Sequence, residues 1–222
     1  MRISEKTYKV RRLPSGDEIV IDGYGRDAAW ELAEILEDFT FPWVEGEPPK
    51  TKFRSLWDSE KIFFYFDVSD DNLVLADGIN VKQRVLGSDR VEFFFSTGLN
   101  LDPYYGLEMD PRGEILSYRA QFHHRIEWDW NCEGLQVLAK EKSGGYIVEG
   151  SIPLNTLENL RCLHKNSEGT YLIAGLFRGE FSKDRNGCET KNWMSWVDPE
   201  VKYPDFHVPS AFGKLQLSEF IQ

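Results

Sequence analysis

From Arg90 to Thr97 the chain alternates with period two. Val91, Phe93 and Phe95 fall on one side, Arg90, Glu92 and Phe94 on the other. Such a run suits a strand with one face in a core, and it leaves a helix no continuous apolar stripe. The pattern recurs along the chain. Lys52 to Trp57 and Lys61 to Val68 are strand-like runs joined by a hairpin connection, Asp58-Ser59-Glu60. Tyr104 to Met109 points Tyr105, Leu107 and Met109 inward and Tyr104 and Glu108 outward. Pro111-Arg112-Gly113 turns into Ile115 to Phe122, where Leu116, Tyr118, Ala120 and Phe122 share a face and Ser117, Arg119 and Gln121 share the other. Leu135 to Lys142 and Tyr146 to Ile152 form a second hairpin over Ser143-Gly144-Gly145, residues that tolerate positive φ. Thr170 to Phe181 and Ala211 to Leu217 complete the strands. Asp27 to Glu37 alone has helical spacing, through Ala28, Ala29, Leu32, Ala33 and Leu36, with Asp27 placed to cap it.

Short strands with frequent turns predict an all-β fold: a two-sheet antiparallel β-sandwich, jelly-roll-like, with one short N-terminal helix. No linker, repeat or low-complexity stretch interrupts it, so residues 1–222 are expected to form a single domain. A hydrophobic fraction of 41% is enough for a core, and a net charge of −11 argues against nucleic acid and anionic membrane as partners. No apolar run has signal-peptide or transmembrane length. Cys132, Cys162 and Cys188 form no C-x-x-C pair, and an odd count leaves a free thiol, as in a reducing compartment. The chain as it stands is expected to be cytoplasmic, or extracellular or periplasmic if a leader has been removed.

Two aromatic arrays lie near the C-terminus: Trp193-Met194-Ser195-Trp196-Val197-Asp198-Pro199 and Phe206-His207-Val208-Pro209-Ser210-Ala211-Phe212-Gly213-Lys214-Leu215. A Trp-rich strand, a loop carrying an aromatic and a closing strand suit a sugar site. Pyranose C–H faces stack on aromatic planes while polar side chains take the hydroxyls.

At these residues the chain resembles a family 9 carbohydrate-binding module. The likeness runs through Ile21-Asp22-Gly23-Tyr24, Ala29-Trp30, Thr51 to Asp58, Asp89-Arg90-Val91-Glu92-Phe93-Phe94, Tyr104-Tyr105, Gly145-Tyr146-Ile147-Val148-Glu149, Ser195 to Pro199 and Pro209 to Leu215. The resemblance implies a non-catalytic sandwich that binds sugar, often at the reducing end of a plant polysaccharide such as xylan, and is usually fused to a xylanase. It implies two tryptophans clamping the sugar, with an acidic and a basic side chain at its hydroxyls. Here the acidic position is Glu92, the clamp positions are Leu86 and Phe206, and Glu108 stands where an Arg is expected. Structural calcium is the metal the resemblance allows for, and Asp67, Asp70, Asp71, Asn72 and Asp77 make an oxygen-rich stretch, although their spacing matches no defined loop.

The expected ligand-binding residues are Glu92, Glu108, Arg119, Trp128, Trp130, Arg178, Phe206 and His207. Arg119 and Gln121 are expected on the open face of Glu92 and Glu108, where Arg119 supplies the missing cation or forms a cross-strand ion pair with Glu108. Arg178 alternates with Phe177 and, if it faces the open side, meets Glu92. Trp128 and Trp130, beside His123-His124-Arg125, form a platform at the rim or cover the sheet end. Trp196 is expected in the core. Two other classes remain. Glu92, Glu108, Glu149 and Glu180 supply carboxylates for glycoside hydrolysis, which needs two at a set separation. A related haem- or redox-binding sandwich would draw axial ligands from the four His and three Met, among which Met109 and Met194 also suit core packing.

Overall fold

The computed structural model describes residues 2–122 and 125–219. Its strands are β1 (Thr7–Arg12), β2 (Thr51–Trp57), β3 (Lys61–Ser69), β4 (Arg90–Ser96), β5 (Tyr104–Met109), β6 (Ile115–Gln121), β7 (Arg125–Glu127), β8 (Gln136–Lys142), β9 (Gly145–Pro153), β10 (Leu163–Asn166), β11 (Gly169–Lys183), β12 (Glu189–Ser195) and β13 (Gly213–Ser218). Two one-turn-and-a-half helices, α1 (Val81–Leu86) and α2 (Leu154–Asn159), lie between them. The strands form one hydrogen-bonded path, β7-β6-β5-β4-β11-β13-β1-β2-β3-β9-β8, with β10 and β12 also on β11. Pairing is antiparallel except at β1, which runs parallel to both β13 and β2. The expected pair of separate antiparallel sheets is thus a single continuous sheet.

The path curls on itself because β4 is apolar on the face that alternation assigned to the core. Phe93 of β4 meets Phe64 of β3 at 5.5 Å and Phe53 of β2 at 6.2 Å, both edge to face. Val91, Phe95, Tyr105, Leu107 and Met109 join Phe66, Val148 and Ile152 in the same buried cluster. Each fully buried ring or branched chain of this kind contributes roughly 1.5–3 kcal/mol. Trp196 and Met194 lie in this cluster too.

The other face of β4 is not open. Phe94 packs with Tyr104, Tyr118, Phe177, Phe206 and Phe212 in a second cluster. The 199–212 segment and α1 fold over this face, so Arg90 and Glu92 are buried as well. This is the face that carries the candidate site.

The expected helix over Asp27–Glu37 is a short 3-10 turn, Ala28–Leu32. Asp27 accepts a hydrogen bond from the Val20 amide at 3.0 Å instead of capping the turn. The chain is extended again at Ala33, and Leu36 bridges Phe53 of β2. Its apolar spacing places Trp30 and Leu36 against the sheet without a longer helix.

Trp30 belongs to a third cluster that is pinned by Glu149 of β9. The Glu149 carboxylate accepts from Trp30 Nε1 at 2.9 Å, from the Gly23 amide at 2.7 Å and from the Asp22 amide at 3.3 Å. Replacing Glu149 with Leu removes every one of these acceptors. The expected loss is about 2–4 kcal/mol, a fall in Tm of roughly 5–15 °C in thermal unfolding. Glu149→Gln, which keeps an acceptor, should lose less. A Leu variant as stable as the parent would show that the N-terminal segment is held elsewhere.

Candidate functional site

Three rows of side chains cross the outer face of β4, and the registers define them. Trp193 of β12, Gly179 of β11 and Arg90 of β4 are lateral neighbours. Next come Phe177, Glu92, Glu108 and Leu116, and then Gly175, Phe94, Gly106 and Tyr118. Glycine at two of these places leaves room for a neighbour to lie flat. A Cβ at Gly179 would stand 3.0 Å from Arg90 Nη1 and 3.4 Å from Trp193, and one at Gly106 would stand 2.6 Å from the Tyr118 hydroxyl and closer still to its ring. The guanidinium therefore spreads toward Trp193, 5.1 Å from the ring centre, and the Tyr118 ring lies across β5.

Arg90, Glu92 and Glu108 form the floor, each less than 5% exposed. The Arg90 Nε–H donates to Glu108 Oε2 at 2.6 Å. Glu92 Oε1 is also 3.0 Å from that nitrogen, but off the N–H direction, so it pairs by charge and is left without a hydrogen bond. Burial works against the charge on Arg90, but Glu108 and Glu92 more than offset it and raise the guanidinium pKa. Burial, reinforced by Glu108 and opposed by Arg90, pushes Glu92 up to about 8. Burial also drives the Tyr118 hydroxyl well above its ordinary value, with Glu108 next in effect. That hydroxyl lies near Glu108, yet it too lacks a hydrogen-bond partner.

Above this floor is a cavity of about 240 Å³. Its walls are Trp43, Leu86, Ile126, Trp128 and Trp193, with Pro204, Asp205, Phe206 and His207 of the β12–β13 connection. Phe206 stacks on Phe177 at 4.2 Å and meets Trp193 edge-on at 5.9 Å. His207 Nδ1 is 2.6 Å from the Tyr104 hydroxyl. Trp128 meets Tyr118 at 5.2 Å, and the Lys82 ammonium sits 3.5 Å over the Trp128 ring. The volume falls just below the roughly 300–1,000 Å³ of common small-molecule pockets, the scale of one sugar ring. A wider cleft of about 670 Å³ around Pro153 and Leu163 has no aromatic ring in its lining.

Of the residues expected to bind ligand, Glu92, Glu108, Trp128, Phe206 and His207 meet at this cavity. Arg119, Trp130 and Arg178 do not. Arg119 stands opposite Tyr105, while Glu108 stands opposite Leu116, so Arg119 occupies the reverse face of β6 and pairs with Glu127 at 2.6 Å. The expected shared face, and the ion pair with Glu108, are corrected by this register. Trp130 packs on Tyr105 at 4.7 Å on that same reverse face. Arg178 stands opposite Val91, not Glu92, and is wholly buried on the core side. His123 and His124 lie outside the described residues. The cation at the floor is Arg90, which the alternation of β4 places on the same face as Glu92. Trp43, Tyr118 and Trp193 come from segments distant in sequence, and only the pairing of β4 with β5 and β11 brings them in.

Of the acidic stretch 67–77, Asp70 alone enters a cluster of potential cation ligands, with Asp89 and Glu180. All-oxygen donors suit a hard cation in type. Their oxygens are already engaged, however. Arg178 Nη2 lies 3.1 Å from Asp70 and also pairs with Glu180, while Asp89 accepts from the Val74 and Phe181 amides at 2.6 and 2.7 Å. Burial pushes Asp89 and Glu180 up to about 7 each. The cluster is an arginine-centred network. Met109 and Met194 are fully buried in the main core.

Residues 21–220 match the family model described as carbohydrate family 9 binding domain-like. The chain belongs to this family. It is 27% identical over 202 residues to endo-1,4-beta-xylanase A of Thermoanaerobacterium saccharolyticum, a match covering 90% of this chain but only 15% of that enzyme. A protein of Bacteroides uniformis ATCC 8492 shares the fold at TM-score 0.73 and 17% identity, covering 96% of this chain and 100% of its own. A carbohydrate-binding module family 9 protein from Caldicellulosiruptor kristjanssonii, in complex with cellotriose, shares it at TM-score 0.60 and 20% identity, covering 97% and 95%. No helix among the described residues is long and apolar enough to cross a membrane.

The glycine at 106 gives a direct check on the floor. Gly106→Ala forces the Tyr118 ring to move and should cost about 1–3 kcal/mol in chemical denaturation. Gly98, where a Cβ meets nothing within 4 Å, is the control. Gly98→Ala should change stability by less than about 0.5 kcal/mol. Equal effects at the two positions would contradict the described lie of Tyr118.

Proposed function

We propose that this chain is a non-catalytic carbohydrate-binding module that takes one ring of an oligo- or polysaccharide into the cavity over Arg90, Glu92 and Glu108. The observation that carries this reading is the pair of buried, unpartnered oxygens, Glu92 Oε1 and the Tyr118 hydroxyl, beneath a wall of aromatic rings. Buried polar atoms without partners are costly, and sugar hydroxyls entering between aromatic planes would satisfy them. Family membership supports the same class of function, as does the cellotriose held by the Caldicellulosiruptor module.

Binding accounts for the two carboxylates better than hydrolysis does. Glycosidases place their acids on either side of the scissile bond. Glu92 and Glu108 are neighbours on adjacent strands and lie against one guanidinium, 3.0 and 2.6 Å from the same nitrogen. The plant-type glycan of the expectation, xylan included, is supported by the kind of enzyme to which the chain is related. In this reading residues 1–222 work as a single binding unit, and a polymeric ligand would place them outside the cell.

Calorimetric titration with cello- and xylo-oligosaccharides tests the proposal. Trp128→Ala and Glu92→Gln should weaken binding about tenfold or more, equivalent to about 1.4 kcal/mol. Trp130→Ala, on the reverse face, should leave it unchanged. Loss of binding in Trp130→Ala alone, or no heat with any sugar, would overturn the assignment of the cavity.

A further inference from the structure

We propose that, among single sugar rings, the cavity prefers one that carries a protonated amine, so that amino sugars bind more tightly than their neutral counterparts. The inference rests on the reading that the cavity takes a sugar ring and concerns which ring it takes. Three features of the site support it.

The first is a deficit of positive charge. Glu92 and Glu108 share one guanidinium, whose Nε–H is committed to Glu108 and whose Nη1 donates to the Leu86 and Ser88 carbonyls. Two buried carboxylates against one cation leave one negative charge to be met by a proton or by a ligand. The second feature is unmet hydrogen-bonding capacity. The atom left over, Glu92 Oε1, belongs to a residue lining the cavity and has no hydrogen-bond donor, and the Tyr118 hydroxyl beside it has no acceptor or donor of its own. An ammonium brings three donors, enough for the carboxylate, the phenol oxygen and one further group. The third feature is the wall. Trp43, Trp128, Trp193 and Tyr118 surround the cavity. Aromatic faces attract organic cations, most strongly when water is excluded. Trp128 already holds the Lys82 ammonium over its ring at the rim. The guanidinium of Arg90 lies between Trp193 and Phe181 at 5.1 and 5.6 Å.

Proton linkage gives the preference a signature. The charged and titratable groups facing Glu92 are Arg90, Glu108, Tyr118, Asp205 and His207, with Lys82 at the rim. Burial and Glu108 raise Glu92 to about 8, so in the empty site near neutrality it largely keeps a proton. An arriving ammonium displaces that proton, and affinity should rise with pH until the ligand amine loses its own, at roughly pH 7.7–8.0, the α-amino range, for an amine flanked by electron-withdrawing ring substituents. A neutral sugar has no proton of its own to lose, so its profile lacks the fall at higher pH.

The test compares glucosamine, glucose and N-acetylglucosamine with the parent protein by calorimetry at about pH 7.5, in buffers of different ionisation enthalpy. Glucosamine should bind at least about tenfold more tightly than the other two, on the scale of a charge-assisted hydrogen bond, and should release protons. Its advantage should shrink on both sides of the optimum and in high salt. Glu92→Gln, which weakens sugar binding as a whole, should also remove the advantage of glucosamine, so that glucosamine and glucose bind equally weakly. Glucose or N-acetylglucosamine binding as tightly as glucosamine would overturn the preference and leave the sugar cavity standing. Failure of all three to bind would overturn both. The pH and salt profile of the parent decides the matter even if the Gln variant does not fold.

Discussion

A single buried guanidinium organises the outer face of this sheet. Arg90 is 3% exposed, and Glu92 and Glu108 on either side are 2% and 4% exposed. Ions taken out of water cost several kcal/mol each after relaxation, and an apolar trio of similar volume would often fold as well or better. Stability therefore does not explain the arrangement. Beside it, Glu92 and Tyr118 line a ring-walled cavity, and Glu92 Oε1 and the Tyr118 hydroxyl are buried with unused hydrogen-bonding capacity. Packing holds the group in place, since Gly179 lets the guanidinium spread toward Trp193 and Gly106 lets Tyr118 cover β5.

Fold and candidate site draw on different residues in this chain. The segments Ile21–Tyr24 and Ala29–Trp30 converge with β9 on Glu149, an acceptor for Trp30 and Gly23 that lies in a different cluster from the cavity. Trp196 lies in the main core. These residues carry much of the family likeness, yet none of them lines the cavity. Leu86, Phe206 and Glu108, where the resemblance implies a clamp and a basic side chain, line the cavity. The cation at the floor is Arg90, on the strand next to Glu108 and paired with both carboxylates.

Strands were legible because alternation and turn chemistry are local. Tyr104–Met109 and the hairpins over 58–60 and 143–144 stand where the pattern put them, within a residue or two at their ends. Facing was less legible. Which residue of β6 lies beside Glu108 depends on register, and the pairing Glu108↔Leu116 puts Arg119 on the reverse face. Arg178 shows the same limit, since one step along β11 separates Phe177, opposite Glu92, from Arg178, opposite Val91. The N-terminal helix failed because apolar residues three and four apart also suit a 3-10 turn followed by an extended bridge. β1 alternates Tyr8 and Val10 with polar residues and had a readable signal, but its parallel pairing with β13 and β2 spans the whole chain. Burial of both faces of β4 was not readable, because it comes from the 199–212 segment folding over the sheet.

The most direct test of the cavity as the sugar site is a nuclear magnetic resonance titration of the tryptophan indole N–H signals. Trp43, Trp128 and Trp193 line the cavity, whereas Trp30, Trp57, Trp130 and Trp196 do not. Saturating sugar should move the first three signals and leave the other four in place. Movement confined to Trp130, or to any of the four, would contradict the account and place the ligand elsewhere on the sheet.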